Sequence, residues 1–283
     1  YTDKYEFYME GYIMKLRKSE RIGAIVKVLS DNPNKIFTLG YFTEKFDTAK
    51  STLSEDISVV KNVFEKLELG KVITISGASG GIKFIPMYTK NQAIAQVEEM
   101  CEKIVNPDRK LVGGFLYMND LISSPDIAKS VGELFATVID YSEADYVVTI
   151  EAKGIPMAMM TAKAMNLPLI IVRKNARITE GPSLAINYLS STSGKIQSMN
   201  LPRRAIKPGA KVILVDDFMR AGGTLKGMED LMKEFDETVL DRAVFIELEC
   251  DKNAKDYFSL MTLKDTKDDI EIEISNNFLE RFR

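Results

Sequence analysis

The sequence predicts an α/β protein of two units, a small helical unit closed by a β-hairpin and a larger, mainly parallel sheet with helices on both faces. Three observations predict it. Helical stripes from Ser19 onward give way to two short strands around a glycine-rich turn before Pro86. Beyond Leu111, short apolar runs alternate with helical segments, the pattern of a parallel sheet covered on both faces. Charge divides the same way: residues 14–90 hold 13 Lys/Arg against 8 Asp/Glu, and residues 91–283 hold 24 against 30. A basic small unit suits a polyanion partner, although chance asymmetry of solvated surfaces accounts for the charge equally well.

At 283 residues, 45% hydrophobic and 28% charged, the chain can bury a sizeable core without disulfide or metal staples. Cys101 and Cys250 lie far apart, and the absence of any histidine excludes a histidine-based zinc site, triad or proton shuttle. Free thiols and the lack of a signal peptide point to the cytoplasm. The most apolar long stretch, 155–172, carries Lys163, Asn166 and two prolines, so no membrane span is expected. Residues 1–13 (YTDKYEFYMEGYI) show no clean period and read as a leader or upstream extension.

In the first unit (14–89), Ile22, Ile25, Val26, Val28 and Leu29 form a helical stripe that stops at Asn32-Pro33. Thr38 caps a short helix over 39–46. A turn at Asp47-Thr48 leads into a third helix reaching Leu69, its start marked by Thr52-x-x-Glu55, a capping box that satisfies two orphan backbone donors. Its apolar face is Leu53, Ile57, Val60, Phe64 and Leu67, and Gly70 ends it. Strands over 72–76 and 82–86 flank Gly77-Ala-Ser-Gly-Gly81. Helix, short helix, longer helix and hairpin is the order of a winged helix-turn-helix. Such a unit lays its third helix in the major groove of duplex DNA while the wing touches backbone. Lys50, Ser51, Thr52 and Ser54 supply phosphate and base-edge chemistry at the helix start, and Lys83 stands beside the wing tip. The competing reading is a three-helix dimerisation module with solvated lysines.

In the second unit (90–283), a connecting helix over 90–105 ends at Asn106-Pro107, and 111–117 reads as a strand. Ser124-Pro125-Asp126 caps a helix reaching about Ile139, with proline at its first position. Strands follow at 146–150, 169–172, 211–215 and 244–248, with helices at 156–165 and 225–235. The alternation breaks over 173–206, where two short strands fit 184–189 and 196–199; a long excursion of this kind is a lid or binding loop.

The chemistry lies in residues 212–224, Val-Ile-Leu-Val-Asp-Asp-Phe-Met-Arg-Ala-Gly-Gly-Thr. A buried strand delivers Asp216 and Asp217 at its carboxyl end, where open α/β sheets bind ligands. Gly222 and Gly223 let backbone N–H groups approach a phosphate, and Thr224 stands at a helix N-terminus. Adjacent carboxylates accept from the hydroxyls of a ribose diol, so the run describes a sugar-phosphate seat. An acidic strand end before a capped helix is the plainer alternative.

These residues resemble the ribose-phosphate signature of the type I phosphoribosyltransferase family. The resemblance implies that Asp216 and Asp217 contact the ribose hydroxyls of phosphoribosyl pyrophosphate (PRPP) and that Arg220, Ala221, Gly222, Gly223 and Thr224 hold its 5′-phosphate. It also implies that Glu151-Ala152-Lys153-Gly154-Ile155 is the pyrophosphate loop, where the family often has a non-proline cis peptide. Arg173 and Lys174 could also reach pyrophosphate oxygens, although lone basic residues are more often solvated. Together with Tyr188-Leu-Ser-Ser-Thr-Ser-Gly-Lys-Ile-Gln-Ser-Met199, these segments resemble the purine operon repressors of Gram-positive bacteria. That resemblance implies a homodimeric repressor of purine biosynthesis and salvage genes, with no intrinsic cofactor and no catalytic residues, and with PRPP, accompanied by Mg²⁺, as the inducer. Two other readings stay open: an active purine phosphoribosyltransferase with an appended DNA-binding unit, and a repressor sensing guanine nucleotides in the same pocket.

Overall fold

Apolar residues spaced three and four apart build the first helix, α1 (Lys18–Asp31), which buries Ile25 and Leu29. This is read from a computed structural model that describes residues 15–77, 80–111, 115–176, 179, 181–189, 194–249, 256–264 and 270–282; the expected leader lies outside them. The described residues form two compact units, divided between Met87 and Tyr88.

In the first unit, Thr38 caps α2 (Leu39–Phe46), its hydroxyl accepting the Tyr41 N–H at 3.1 Å. Asp47, left-handed at φ 43°, ends that helix. The third helix, α3 (Lys50–Lys66), corrects the sequence reading at both ends. Ala49 is its N-cap, so Thr52 and Glu55 lie inside the helix rather than forming a capping box, and it stops before Leu69. The wing is an antiparallel hairpin of β1 (Lys71–Ile75) and β2 (Gly81–Ile85), each one residue earlier than expected. Phe37 and Ile82 exchange backbone hydrogen bonds at 2.9 and 2.8 Å, docking the α1–α2 connection on the hairpin. Only glycine permits this approach at Gly81, where a β-carbon would stand 2.1 Å from the Phe37 carbonyl oxygen. Ile25, Phe42, Phe46, Leu53, Val60 and Ile82 fill the core. Arg21 of α1 pairs with fully buried Asp56 of α3 at 2.7 Å.

The second unit begins with Tyr88, whose N–H donates to the Thr137 hydroxyl at 3.1 Å and whose own hydroxyl donates to Glu133 at 3.2 Å. Thr89 and Gln92 form a capping box at the start of α4 (Lys90–Ile104). Instead of one strand over 111–117, the chain makes a short antiparallel pair, β3 (Lys110–Leu111) and β4 (Phe115–Leu116). After α5 (Asn119–Ile122), α6 (Pro125–Val138) starts with proline at its first position, as expected.

The sheet-forming part then runs β5 (Tyr146–Ile150), α7 (Ile155–Met165), β6 (Leu169–Val172), β7 (Ser183–Leu189), β8 (Ile196–Pro202), β9 (Lys211–Met219), α8 (Gly223–Glu234), β10 (Thr238–Leu248), β11 (Phe258–Lys264), β12 (Glu271–Ile274) and α9 (Asn276–Leu279). The six-stranded sheet has the order β12-β11-β10-β9-β5-β6 and is parallel except for β12, while β7 and β8 form a separate antiparallel hairpin. Pleat alternation in β9 shows why both faces are covered. Ile213 and Val215 pack in the core with Phe135 of α6 and Met157 of α7, whereas Val212 and Leu214 pack with Met228 of α8 and Met199 of β8. Helices α6 and α7 touch backbone to backbone at Gly132, where a β-carbon would stand 2.4 Å from the Met160 carbonyl carbon. No helix among the described residues is long and apolar enough to cross a membrane.

Candidate ligand site and nucleic-acid interface

Strand β9 does not stop at Val215 but carries Asp216 and Asp217 within it and ends at Met219. The cause is its neighbour: β10 pairs with it as far as Glu247 opposite Met219. Asp216 is buried, 4% exposed, and its Oδ1 accepts the Asp217 N–H at 3.0 Å. Burial, then the Asp217 charge, pushes the Asp216 carboxyl well above the ordinary aspartate range. Burial raises Asp217 as well, against the pull of Lys153 and Lys174. Hydroxyl donors or cations that reach these two carboxylates favour their charged forms.

After Met219 the chain turns through half-buried Arg220 and exposed Ala221 to Gly222, which is left-handed at φ 79° and is the N-cap of α8. Gly223 and Thr224 form the first turn, so the positive end of the α8 dipole stands just beyond the acid pair. The loop that follows β5 arrives from the other side. The Glu151–Ala152 peptide is cis, as the family resemblance implies. Ala152 and Lys153 are exposed, and buried Gly154 is the N-cap of α7. A β-carbon on Gly154 would lie 3.4 Å from Asp216 Oδ1. The structure therefore brings the two expected ligand segments, 151–154 and 216–224, against each other.

Two further features had no role assigned from sequence. Tyr188 of β7 lies over α8, its Cβ 3.1 Å from where a Gly227 β-carbon would stand, and its hydroxyl donates to Gln197 at 2.9 Å. Its pKa is raised by partial burial and by Asp216. Glu151 binds the end of β6: its carboxylate accepts the Lys174 N–H at 2.7 Å and pairs with Arg173 at 3.2 Å. Its place before Ala152-Lys153-Gly154 was visible, but a pairing across 22 residues has no local signal. Cys101 is a free thiol pushed up to about 11 mainly by burial, which keeps it from acting as a thiolate nucleophile.

In the first unit, Lys50, Ser51 and Ser54 are exposed on the first two turns of α3, and Thr52 is half-buried. The Ser54 hydroxyl donates back to the Lys50 carbonyl at 2.9 Å. Lys83 lies on the pleat face of β2 opposite buried Ile82 and Phe84, and its ammonium donates to Asn34 at 3.4 Å. Lys61 links α3 to the wing by donating to the Thr74 hydroxyl at 2.6 Å.

The family described as the N-terminal domain of the bacterial purine repressor matches residues 17–86, and the phosphoribosyl transferase domain family matches residues 118–280. The chain is 39% identical over 274 residues to the purine biosynthesis transcriptional repressor of Bacillus subtilis (strain 168), covering 95% of this chain and 96% of that protein. It is 34% identical over 232 residues to the purine biosynthesis transcriptional activator of Lactococcus lactis subsp. lactis (strain IL1403), covering 82% and 86%. Among solved structures, adenine phosphoribosyltransferase from Thermoanaerobacter pseudethanolicus ATCC 33223 aligns at a TM-score of 0.50 and 22% identity, over 59% of this chain and 99% of that one, which shows a shared fold. The chain belongs to the purine repressor family of Gram-positive bacteria, transcriptional regulators that join a winged-helix DNA-binding domain to a domain of the phosphoribosyltransferase fold.

Proposed function

We propose that this chain represses purine biosynthesis and salvage genes and that PRPP releases it from operator DNA without being consumed. The observation that carries the proposal is the pair of buried Asp216 and half-buried Asp217 between the glycine-rich start of α8 and the 151–154 loop. Ribose hydroxyls donating to these carboxylates stabilise the charge that burial disfavours, the α8 turn suits a 5′-phosphate, and Lys153 with Gly154 suits a pyrophosphate. Mg²⁺ enters with the ligand, since this ion is ordinarily held by one or two carboxylates plus phosphate oxygens. The proposed repressor acts as a homodimer, which matches two winged helices to two half-sites.

Operator binding titrated with PRPP, with and without Mg²⁺, tests this reading. PRPP should lower operator affinity, and Mg²⁺ should strengthen the effect. Release by guanine nucleotides but not by PRPP would assign the pocket to them instead. Turnover with xanthine, guanine, hypoxanthine or adenine at about 1–1000 per second would make the protein an enzyme.

A further inference from the structure

Arg173 and Lys174, at the end of β6, are placed to serve an anion beside the acid pair. Lys174 draws both Asp216 and Asp217 downward against their burial, so its charge acts within the site. Yet these residues already hold an anion of the protein's own. Glu151 Oε1 accepts the Lys174 backbone N–H at 2.7 Å, and Oε2 pairs with the Arg173 guanidinium at 3.2 Å. The Arg173 and Glu151 side chains are only 24% and 22% exposed, so water screens the pair weakly. The segment is held from its other side by β8. The Lys174 carbonyl accepts the Ser198 hydroxyl and the Asn200 side-chain amide, both at 3.0 Å, and Arg173 and Asn200 exchange backbone hydrogen bonds at 2.9 and 2.7 Å.

A guanidinium fork beside a backbone N–H is a donor set that phosphate oxygens take as readily as a carboxylate does. Glu151 also opens the loop that carries Lys153 and Gly154, so the carboxylate holding these donors belongs to the segment that an arriving diphosphate must engage. We propose that Glu151 is a tethered competitor, occupying with its carboxylate the Arg173 and Lys174 donors that a diphosphate must take over. The inference rests on the reading of this site as one for PRPP and adds a basis for selectivity. An inorganic phosphate replacing Glu151 gains little over the anion it expels, whereas a Mg²⁺-bound diphosphate brings more oxygens to the same donors and can span them and the 151–154 loop together.

The test is calorimetric titration of the full-length protein with inorganic pyrophosphate, PRPP and inorganic phosphate, all with Mg²⁺. Glu151→Gln keeps an acceptor for the Lys174 N–H and removes the charge. It should tighten pyrophosphate and PRPP about three- to tenfold and narrow the preference for pyrophosphate over phosphate. In an Arg173→Gln background the same change should alter affinity less than about twofold, because the contested donor is gone. Unchanged or weaker binding by Glu151→Gln would make Glu151 a support for Arg173 and overturn the inference. Equal tightening in both backgrounds would also overturn it, as a general effect of charge. If the wild type binds neither pyrophosphate nor PRPP, the reading of the site fails first and this inference with it.

Discussion

Gly154 and Asp216 approach so closely that a β-carbon on Gly154 would stand 3.4 Å from Asp216 Oδ1 and 2.5 Å from the Thr149 hydroxyl. Glycine is required here for space rather than for backbone freedom, since its φ is −66°. The contact joins the loop after β5 to the acids of β9. A change in one carboxylate is therefore felt by the loop that opens α7.

Because burial raises both carboxyls, Asp216 and Asp217 oppose folding at neutral pH when no ligand is present. Asp216→Asn removes a buried charge of similar shape and should raise the melting temperature of the ligand-free protein, a gain on the order of 0.5–2 kcal/mol. The same variant should lose stabilisation by PRPP. Thermal melts with and without PRPP check both halves, and a lower melting point without ligand contradicts the electrostatic account.

The pH dependence has a definite sign. A carboxyl raised in the folded state contributes stability that is fully present below its unfolded pKa and is lost as pH rises through its folded pKa. The ligand-free protein should lose stability over that window, from the ordinary aspartate range up to the higher range of the buried pair. PRPP hydroxyls favour the ionised carboxylates, so binding should release protons and tighten with rising pH across the same window. Calorimetry in buffers of different ionisation enthalpy measures the release; proton uptake on binding would reverse the assignment.

Gly132→Ala tests the α6–α7 contact, since its β-carbon would lie 2.4 Å from the Met160 carbonyl carbon and 2.6 Å from the Thr161 nitrogen. Backbone cannot rotate away as a side chain can. The helices must separate, at a cost of about 1–3 kcal/mol or more. Denaturant unfolding measures it, and an unchanged midpoint would mean that the two helices do not pack this tightly.

Elements set by local chemistry were legible in the sequence. The Thr38 cap, the Ser124-Pro125 helix start, and strands β5 and β6 fall where their residues predict. Thr52-x-x-Glu55 misled because α3 must start almost at once after left-handed Asp47, leaving Ala49 as the cap whatever side chains follow. The length of β9 was hidden for another reason: its last four residues are held by pairing with β10, a long-range partner with no trace in local composition. The sequence reading assigns nothing beyond Leu248, where β11 gains its place from β10 and antiparallel β12 alternates as Glu-Ile-Glu-Ile. At the site, the acids and glycines were legible as motifs, whereas the Tyr188–Gly227 and Glu151–Arg173 contacts exist only in the folded chain.

At the proposed nucleic-acid surface, Lys50 stands exposed at the start of α3 and Lys83 half-buried on the wing. Lys50→Ala and Lys83→Ala should each weaken operator binding and flatten the log–log salt dependence by roughly one unit if each neutralises one phosphate. Fluorescence anisotropy across a salt series reads the slopes. Unchanged affinity and slope in both variants would place the docking surface elsewhere.

The central claim is that PRPP at the acid pair switches DNA binding, and operator affinity measured against PRPP concentration for wild type, Asp216→Ala and Asp217→Ala tests it most directly. An inducer must bind the low-affinity DNA state better than the high-affinity one, because equal binding shifts nothing. Each charge-assisted hydrogen bond to the ribose contributes about 1.5–3 kcal/mol, so losing one should weaken PRPP roughly ten- to a hundredfold. Neither residue lies in the DNA-binding unit. Both variants should therefore bind operator as wild type does without PRPP and need at least about ten times more PRPP for release. Variants that release operator at wild-type PRPP concentrations, or a wild type whose operator binding PRPP tightens, would contradict the account.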